Sequence, residues 1–314
     1  MSTPTFLQDS YTKLRQAIEL PEDNPTKSHQ TLPHISSLEN ARSSLPSPAS
    51  ASFLKSASKE ATMAHILQDL VPALNGQALS SRYFGFVTGG VLPVAEAADN
   101  VVSAMDQNVQ VHLPSESIAT DVETAALKML TVLLGLEAPY EDKWLGRTFT
   151  TGATASNVLG LACGREFVLS KRAGVSIGQV GLLAACRMAK IEEIQVLTSA
   201  GHSSLAKAAS LVGLGRDSVK ELGLSETEPW RLDIDAVEKE IARPGVASII
   251  AVSAGEVNTG NVAIRGLSDM ARLRSLADQY DAWIHVDGGK GRQTAYRPWI
   301  DEFRSIRYLR PSSP

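Results

Sequence analysis

Apolar residues recur along this 314-residue chain with spacings of two kinds. Between about residues 147 and 295, short runs rich in β-branched residues alternate with segments whose apolar side chains repeat at helical spacing. The runs predict strands at 148–151, 193–198, 246–252 and 282–286. Strands that alternate with helices indicate an α/β fold, a mostly parallel sheet with helices on both faces.

The intervening segments predict five helices, at about 154–171, 178–189, 203–212, 235–242 and 267–280. Asp233 or Asp235 caps the fourth helix, and Asp235 with Glu238 fits a capping box. Two further helices are expected at 93–105 and 121–136. The sequence therefore predicts seven helices between residues 93 and 280.

The first 120 residues differ from this pattern. Residues 1–60 include a Ser- and Pro-rich stretch with little apolar periodicity, so we predict a disordered tail. Helical spacing returns at residue 61, and residues 61–120 predict a helical arm. Residues 121–289 form the predicted large domain, and residues 290–314 form a divergent tail with a basic, proline-bearing end.

Composition and charge limit the possible partners and classes of function. The net charge of -4 gives no basic field for nucleic acid, so we expect no nucleic-acid partner. No apolar run approaches the length of a membrane span, and the first residues lack a signal pattern, so we expect no membrane association and a cytoplasmic location. Cys163 and Cys186 are too few for a disulfide framework or a thiolate metal site, and we expect two buried, reduced thiols.

Asp287 stands where a short apolar strand meets a glycine turn. Ligands of open α/β sheets bind at the carboxyl ends of the strands, and a carboxylate there can hold a positive charge on a ligand ring. Another strand–helix loop, residues 150–157, consists of small and hydroxyl residues. Its free backbone N–H groups suit a phosphate, although an ordinary capped helix has the same pattern.

Two more loops follow predicted strands and open at the same edge. Residues 199–204 carry His202, whose flat ring can stack on an aromatic cofactor or transfer a proton; a plain capping histidine is the alternative. Residues 253–260 contain Gly255, which lets a ligand approach the backbone unless the segment is a simple turn. Together the loops supply a phosphate cradle, a stacking ring and a carboxylate, which is a combination that suits pyridoxal 5'-phosphate.

Four motifs, in this order and spacing, resemble those of the group II pyridoxal-phosphate-dependent decarboxylases, the family of aromatic amino acid, tyrosine and glutamate decarboxylases. They are Thr-Gly-Ala-Thr-Ala-Ser-Asn at 151–157, Gly-His-Ser-Ser at 201–204, Ala-Gly-Glu-Val-Asn-Thr-Gly at 254–260 and His-Val-Asp at 285–287. The similar region covers about residues 61–289. The resemblance implies the large domain of the aspartate-aminotransferase-like fold (fold type I), here incomplete, and a homodimer.

The resemblance also implies roles for individual residues. Asp287 would pair with the pyridine nitrogen and keep it protonated, so that the ring acts as an electron sink after CO2 loss. His202 would stack on the ring. The phosphate would be bordered by Ala153, Thr154 and Ser156, with Gly255 close to the cofactor.

A substrate pocket is implied by two further segments, often contributed by a partner subunit in this family. They contain Tyr83, Phe84, Phe86 and His112, for which core packing is the alternative. The implied substrate is an amino acid. Its identity does not follow from these residues.

The family pattern stops after Gly289. Family members place a lysine that binds the cofactor covalently well downstream, whereas Lys290 would lie by the wrong end of the ring and Lys207 is expected to face solvent. Glu256 replaces a hydroxyl residue of many relatives. We therefore expect a C-terminally truncated chain, and a pyridoxal-phosphate-dependent L-amino acid carboxy-lyase that is impaired. The alternatives are a non-catalytic cofactor-binding remnant, a partner of a full-length subunit, or a related carbon–carbon lyase.

Overall fold

The structure is a computed structural model that describes residues 3–18, 31–51, 53–80, 85, 90–107, 109–141, 143–256 and 259–289. The chain divides into two compact units, Met1–Gln107 and Asn108–Pro314. Three of the substrate-pocket candidates (Tyr83, Phe84 and Phe86), together with Lys290 and the rest of the predicted C-terminal tail, lie outside the described residues. The domain boundaries drawn from the sequence stay predictions.

The first unit is helical in its described part. It contains α1 (Thr3–Ile18), α2 (Ile35–Ser44), α3 (Lys59–His65) with a π-helical and a 3-10 continuation to Ala73, a 3-10 turn at Gln77–Leu79, and α4 (Pro93–Met105). Helices α1 and α2 differ from the disordered tail that composition predicts. Helix α1 also contacts α4: Glu96 accepts a hydrogen bond of 2.8 Å from Tyr11 and pairs with Arg15 at 3.3 Å.

The second unit alternates helices and strands as expected. Its elements are α5 (Ala119–Leu133), α6 (Ala153–Ala173), α7 (Ile177–Val180), α8 (Leu182–Ala189), β1 (Glu193–Thr198), α9 (Ser203–Leu211), β2 (Val219–Glu221), α10 (Ile234–Ile241), β3 (Val246–Ser253), α11 (Gly266–Gln279) and β4 (Trp283–Asp287). The strands form one parallel sheet in the order β2-β1-β3-β4. The predicted α/β fold is confirmed.

Helices cover both faces of this sheet. Ile249 and Ala251 of β3 pack with α6, α8 and α9, whereas Ile250 and Val252 pack with α10 and α11. A strand buried on both faces needs apolar side chains at most successive positions, which is why β3 is apolar apart from Ser248 and Ser253. Among the described residues, no helix is long and apolar enough to cross a membrane.

Some local predictions were wrong. Residues 148–151 form no strand, because no neighbouring strand in the described chain pairs with them: 148–150 are irregular and Thr151 lies in a bend. Strand β2 was missed, since its three residues are defined by pairing with β1 rather than by an apolar run. The helix expected at 178–189 is interrupted at Gly181, whose φ of 81° ends α7.

Two side-chain predictions also need correction. Asp233 caps α10, and its Oδ1 accepts hydrogen bonds of 3.0 Å from the backbone N–H groups of Asp235 and Ala236, so the capping box expected from Asp235 does not form. Both cysteines are free thiols, but Cys163 is exposed and Cys186 is half-buried. Cys163 lies on α6 between the buried residues Leu161 and Gly164, but its own side chain is on the helix face that points away from the sheet.

A buried carboxylate connects α5 to the chain that leads into the 150–157 loop. Glu137 is only 2% exposed, and its oxygens accept hydrogen bonds from Lys128 (2.7 Å), Thr131 (2.8 Å) and the backbone of Lys143 (3.0 Å). Arg147 lies 3.2 Å away. The hydrogen bond from Lys128, which outweighs the opposing effect of burial, lowers the pKa of Glu137 to about 2.

Glu137→Gln is expected to lower stability at neutral pH and to change its pH dependence. Because the pKa of Glu137 is lowered from 4.5 to about 2, its contribution is complete above pH 4.5 and is lost as the pH falls through about 2. Thermal unfolding of both proteins should therefore show a difference that shrinks across this range. The exposed Glu123→Gln on α5 is the control, and a pH-independent difference for Glu137→Gln would contradict the account.

Candidate functional site

Asp287 is the last residue of β4 and is held by two donors at the carboxyl edge of the sheet. Its Oδ2 accepts a hydrogen bond of 3.0 Å from Asn157 Nδ2, and its Oδ1 accepts one of 3.2 Å from the backbone of Gly289. The side chain is half-buried, so it is open to a ligand. Each carboxylate oxygen can accept more than one hydrogen bond, which leaves capacity for a cationic group.

Asn157 lies on the face of α6 that packs against the sheet and is 2% exposed. Besides Asp287, its Nδ2 contacts Ser204 Oγ at 3.0 Å, and its Oδ1 lies 2.8 Å from His285 Nε2. Burial lowers the pKa of His285, and the nearby Asp287 opposes that effect only in part. A neutral His285 therefore sits beside the amide at neutral pH.

His202 precedes the first residue of α9 and caps this helix. Its Nδ1 accepts a hydrogen bond of 3.2 Å from the backbone N–H of Ser204 and lies 2.8 Å from Ser204 Oγ. The residue is otherwise exposed. A continuous chain of hydrogen bonds thus runs from His202 through Ser204 and Asn157 to Asp287.

The start of α6 is exposed and lies next to this network. Gly152, with a φ of 145°, precedes the helix and supplies no side-chain cap. Thr150 Oγ1 donates to the Gly152 carbonyl at 3.0 Å and lies 2.7 Å from Ser156 Oγ. The first backbone N–H groups of a helix lack intrahelical partners, which here applies to the exposed Ala153 and Thr154. The backbone N–H of Ser156 donates to the Gly152 carbonyl at 3.2 Å, so this exposed residue offers its hydroxyl instead.

Two contacts bring the remaining loops to Asp287. The Asp287 carbonyl accepts a hydrogen bond of 2.9 Å from the backbone of Ala254, which places the 253–260 loop beside the end of β4. A Cβ built on Gly289 would lie 3.4 Å from the Cβ of Ala153, so the turn after β4 passes close to the start of α6. All four sequence motifs therefore meet at one edge of the sheet.

Glu256, which replaces a hydroxyl residue of many relatives, forms hydrogen bonds within its own loop. Its Oε2 accepts hydrogen bonds of 2.9 Å from the backbone N–H and 3.0 Å from the hydroxyl of Thr259. The preceding Gly255 is buried, with a φ of 117°. The carboxylate of Glu256 thus stabilises the turn.

Most candidates from the sequence lie in or beside this network: Ala153, Thr154, Ser156, His202, Gly255 and Asp287. Their roles as cofactor contacts stay predictions. His112 is exposed and lies 2.7 Å from Thr120 Oγ1, and no hydrogen bond within the described residues connects it to Asp287. Lys207 is exposed, as expected.

Sequence reasoning did not assign roles to three residues of the network: Asn157, Ser204 and His285. Asn157 did carry a signal. It is a polar residue on a helix face whose other members, Leu161, Gly164 and Val168, are buried.

Comparisons with known proteins agree with the motifs. No family model matches the chain. It is 25% identical over 254 residues to an aspartate 1-decarboxylase of Aliivibrio fischeri, covering 76% of this chain and 45% of the relative. The chain spans less than half the length of the curated relatives it matches.

Solved structures show the same fold. The glutamate decarboxylase domain of a Vibrio parahaemolyticus diaminobutyrate–pyruvate transaminase and L-2,4-diaminobutyrate decarboxylase matches with a TM-score of 0.71 and 20% identity, over 96% of this chain and 61% of that one. Oryza sativa TDC with PLP and tryptamine matches with a TM-score of 0.64 and 20% identity, over 90% and 56%. The resemblance to group II pyridoxal-phosphate-dependent decarboxylases and the aspartate-aminotransferase-like fold, present here in part, are thus confirmed.

Proposed function

We propose that this chain binds pyridoxal phosphate at the edge of the sheet that carries Asp287. The proposed activity is that of an L-amino acid carboxy-lyase. The observation that carries the proposal is the carboxylate of Asp287, held by Asn157 next to the exposed first turn of α6. These residues fit the cofactor, because an acceptor for a ring N–H and free donors for a phosphate occur at one site. The relatives named above, which include an aspartate 1-decarboxylase, support the reaction class.

When bound, pyridoxal phosphate supplies a protonated pyridine ring that accepts the electron pair left on an amino acid as CO2 departs. Asp287 would hold the proton on the ring nitrogen, because a carboxylate favours the cationic form of a neighbouring base. Ala153, Thr154 and Ser156 would bind the phosphate through the first turn of α6. His202 would cover one face of the ring, and Gly255 would leave room for it.

The proposal extends to assembly and location. We infer a homodimer, supported by apolar side chains on α4 that are exposed within the chain: Val94 (73%), Val101 (61%), Val102 (68%) and Met105 (62%). Contiguous exposed apolar surface is typical of protein interfaces. A cytoplasmic location is proposed from the family resemblance.

A second candidate is cofactor binding without turnover. Among the described residues, no lysine forms a hydrogen bond or ion pair with Asp287, Asn157 or His202, which favours a cofactor held without a covalent bond. A chain of this kind would bind pyridoxal phosphate non-covalently and would act as a partner of a complete subunit.

One experiment separates the two candidates. The purified chain is incubated with pyridoxal phosphate and with carboxyl-labelled acidic, basic and aromatic L-amino acids, and both cofactor binding and released CO2 are measured. Binding with CO2 release supports the carboxy-lyase. Binding without release from any amino acid supports the second candidate, and absence of binding would contradict both.

A further inference from the structure

Asn157 is hydrogen-bonded directly to Asp287 and, through Ser204, to His202, and the proposed site depends on these two side chains. From their geometry we propose that Asn157 and Ser204 are positioning residues, which hold the ring proton of His202 on Nε2 and orient the Asp287 carboxylate. The purpose of this arrangement rests on the proposed function, but the arrangement itself is a property of the chain alone.

The Asn157 amide has one favourable orientation. With Nδ2 toward Asp287, both amide hydrogens are donated, one to Asp287 Oδ2 and one to Ser204 Oγ, each at 3.0 Å. Its Oδ1 then accepts from His285 Nε2 at 2.8 Å. Rotating the amide by half a turn would set its oxygen against the carboxylate, where neither atom is a donor. Asp287 therefore decides which way Asn157 faces.

This orientation determines to which atom the Ser204 hydroxyl donates its hydrogen. Because Ser204 Oγ already accepts from Asn157, its hydrogen is available for His202 Nδ1 at 2.8 Å. The backbone N–H of Ser204 points at the same Nδ1, at 3.2 Å, and a backbone N–H can only donate. With two donors aimed at it, Nδ1 is an acceptor, and the ring proton of neutral His202 resides on Nε2.

The consequence is one polar unit across α6, α9 and β4. Asn157 and Ser204 are each 2% exposed, so the hydrogen bond between them is shielded from solvent. The Asn157 amide contacts Ser204, which lies 47 positions away in the sequence, and Asp287, which lies 130 positions away. His202 is thereby kept with a defined tautomer, and Asp287 with a defined carboxylate plane, before any ligand arrives.

The tautomer of His202 tests this directly. The chain contains six histidines, so the protein is labelled with 15N-histidine and the His202 signals are assigned by their loss in His202→Gln. Ring-nitrogen shifts then distinguish the Nε2–H from the Nδ1–H form without added pyridoxal phosphate. Ser204→Ala and Asn157→Ala are the test variants. The exposed neighbour Ser203→Ala is the matched control.

We expect the Nε2–H form in the unmodified chain and in Ser203→Ala, and a several-fold rise of the Nδ1–H form in Ser204→Ala. Asn157→Ala should shift the ratio in the same direction, and the double variant should add little, because Asn157 reaches His202 through Ser204. A dominant Nδ1–H form in the unmodified chain, or an unchanged ratio in Ser204→Ala, would overturn the inference. If Asn157→Ala does not fold, Ser204→Ala decides alone.

These outcomes are separable from those of the proposed function. If the tautomers behave as expected but pyridoxal phosphate does not bind, the positioning role stands and the cofactor assignment fails. If the cofactor binds while the tautomer ratio ignores Ser204, only the positioning role fails.

Discussion

Replacing Asp287 by Asn is expected to weaken pyridoxal phosphate binding about ten- to hundredfold. An Asn at 287 can still accept the hydrogen bond from Asn157, so the substitution removes the charge and keeps the shape. A hydrogen bond to a charged group contributes about 1.5–3 kcal/mol, and each 1.4 kcal/mol corresponds to about a tenfold change in affinity. Equilibrium titration followed by cofactor absorbance measures the two dissociation constants.

Asp281→Asn is the matched control for this substitution. Asp281 lies just before the other end of β4, pairs with Lys171 and is part of no loop at the site. Its φ of 52° is one that Asn tolerates. An equal loss of affinity in both variants would show a general effect on β4, and unchanged affinity in Asp287→Asn would remove Asp287 from the cofactor site.

Gly160→Ala is expected to lower the free energy of unfolding by about 2 kcal/mol. A Cβ at this position would clash with two atoms of the His285 ring, which is half-buried and hydrogen-bonded to Asn157. Overpacking costs about 1–3 kcal/mol and the lost hydrogen bond about 1 kcal/mol, against about 1 kcal/mol gained in helix propensity. Urea unfolding measures the difference.

The controls for Gly160→Ala test the stated cause. Gly146 has no atom within 4 Å of a built Cβ, so Gly146→Ala should leave stability nearly unchanged. In a His285→Ala background the space is vacated, and Gly160→Ala should no longer destabilise. A penalty that persists without the His285 ring would mean that the close approach of α6 to β4 is not what requires glycine.

Most of the sheet could be predicted because the residue pattern within each longer strand indicates a strand. Strand β3 is mostly apolar, as a strand buried on both faces of a parallel sheet must be, and β1 and β4 are short segments with β-branched or aromatic residues at several positions. Residues 148–151 look similar in sequence but form no strand, since a strand also requires a neighbour to pair with. Pairing partners are long-range contacts that local patterns do not contain.

The sequence was enough to predict which residues stand at the site, but not the hydrogen bonds that connect them. Asp287 and His202 stand out because Asp287 ends a predicted strand and His202 lies in the loop that follows one. The hydrogen bonds of Asn157 depend instead on how closely α6 approaches β4, which Gly160 and Gly164 permit: a Cβ on either would lie within 2.7 Å of a β4 side chain. Two glycines four residues apart on one helix face are a weak signal without the opposing strand.

The central claim is that the four loops at the carboxyl edge form one pyridoxal phosphate site, and the most direct measurement maps the cofactor onto the backbone. Amide spectra of the 15N-labelled chain are recorded during titration with pyridoxal phosphate. We predict changes at 153–156, 202–204, 254–255 and 287–289, with none at the opposite ends of the strands, around Glu193 and Val246. Saturable changes confined to those opposite ends, or no changes at all, would contradict the account.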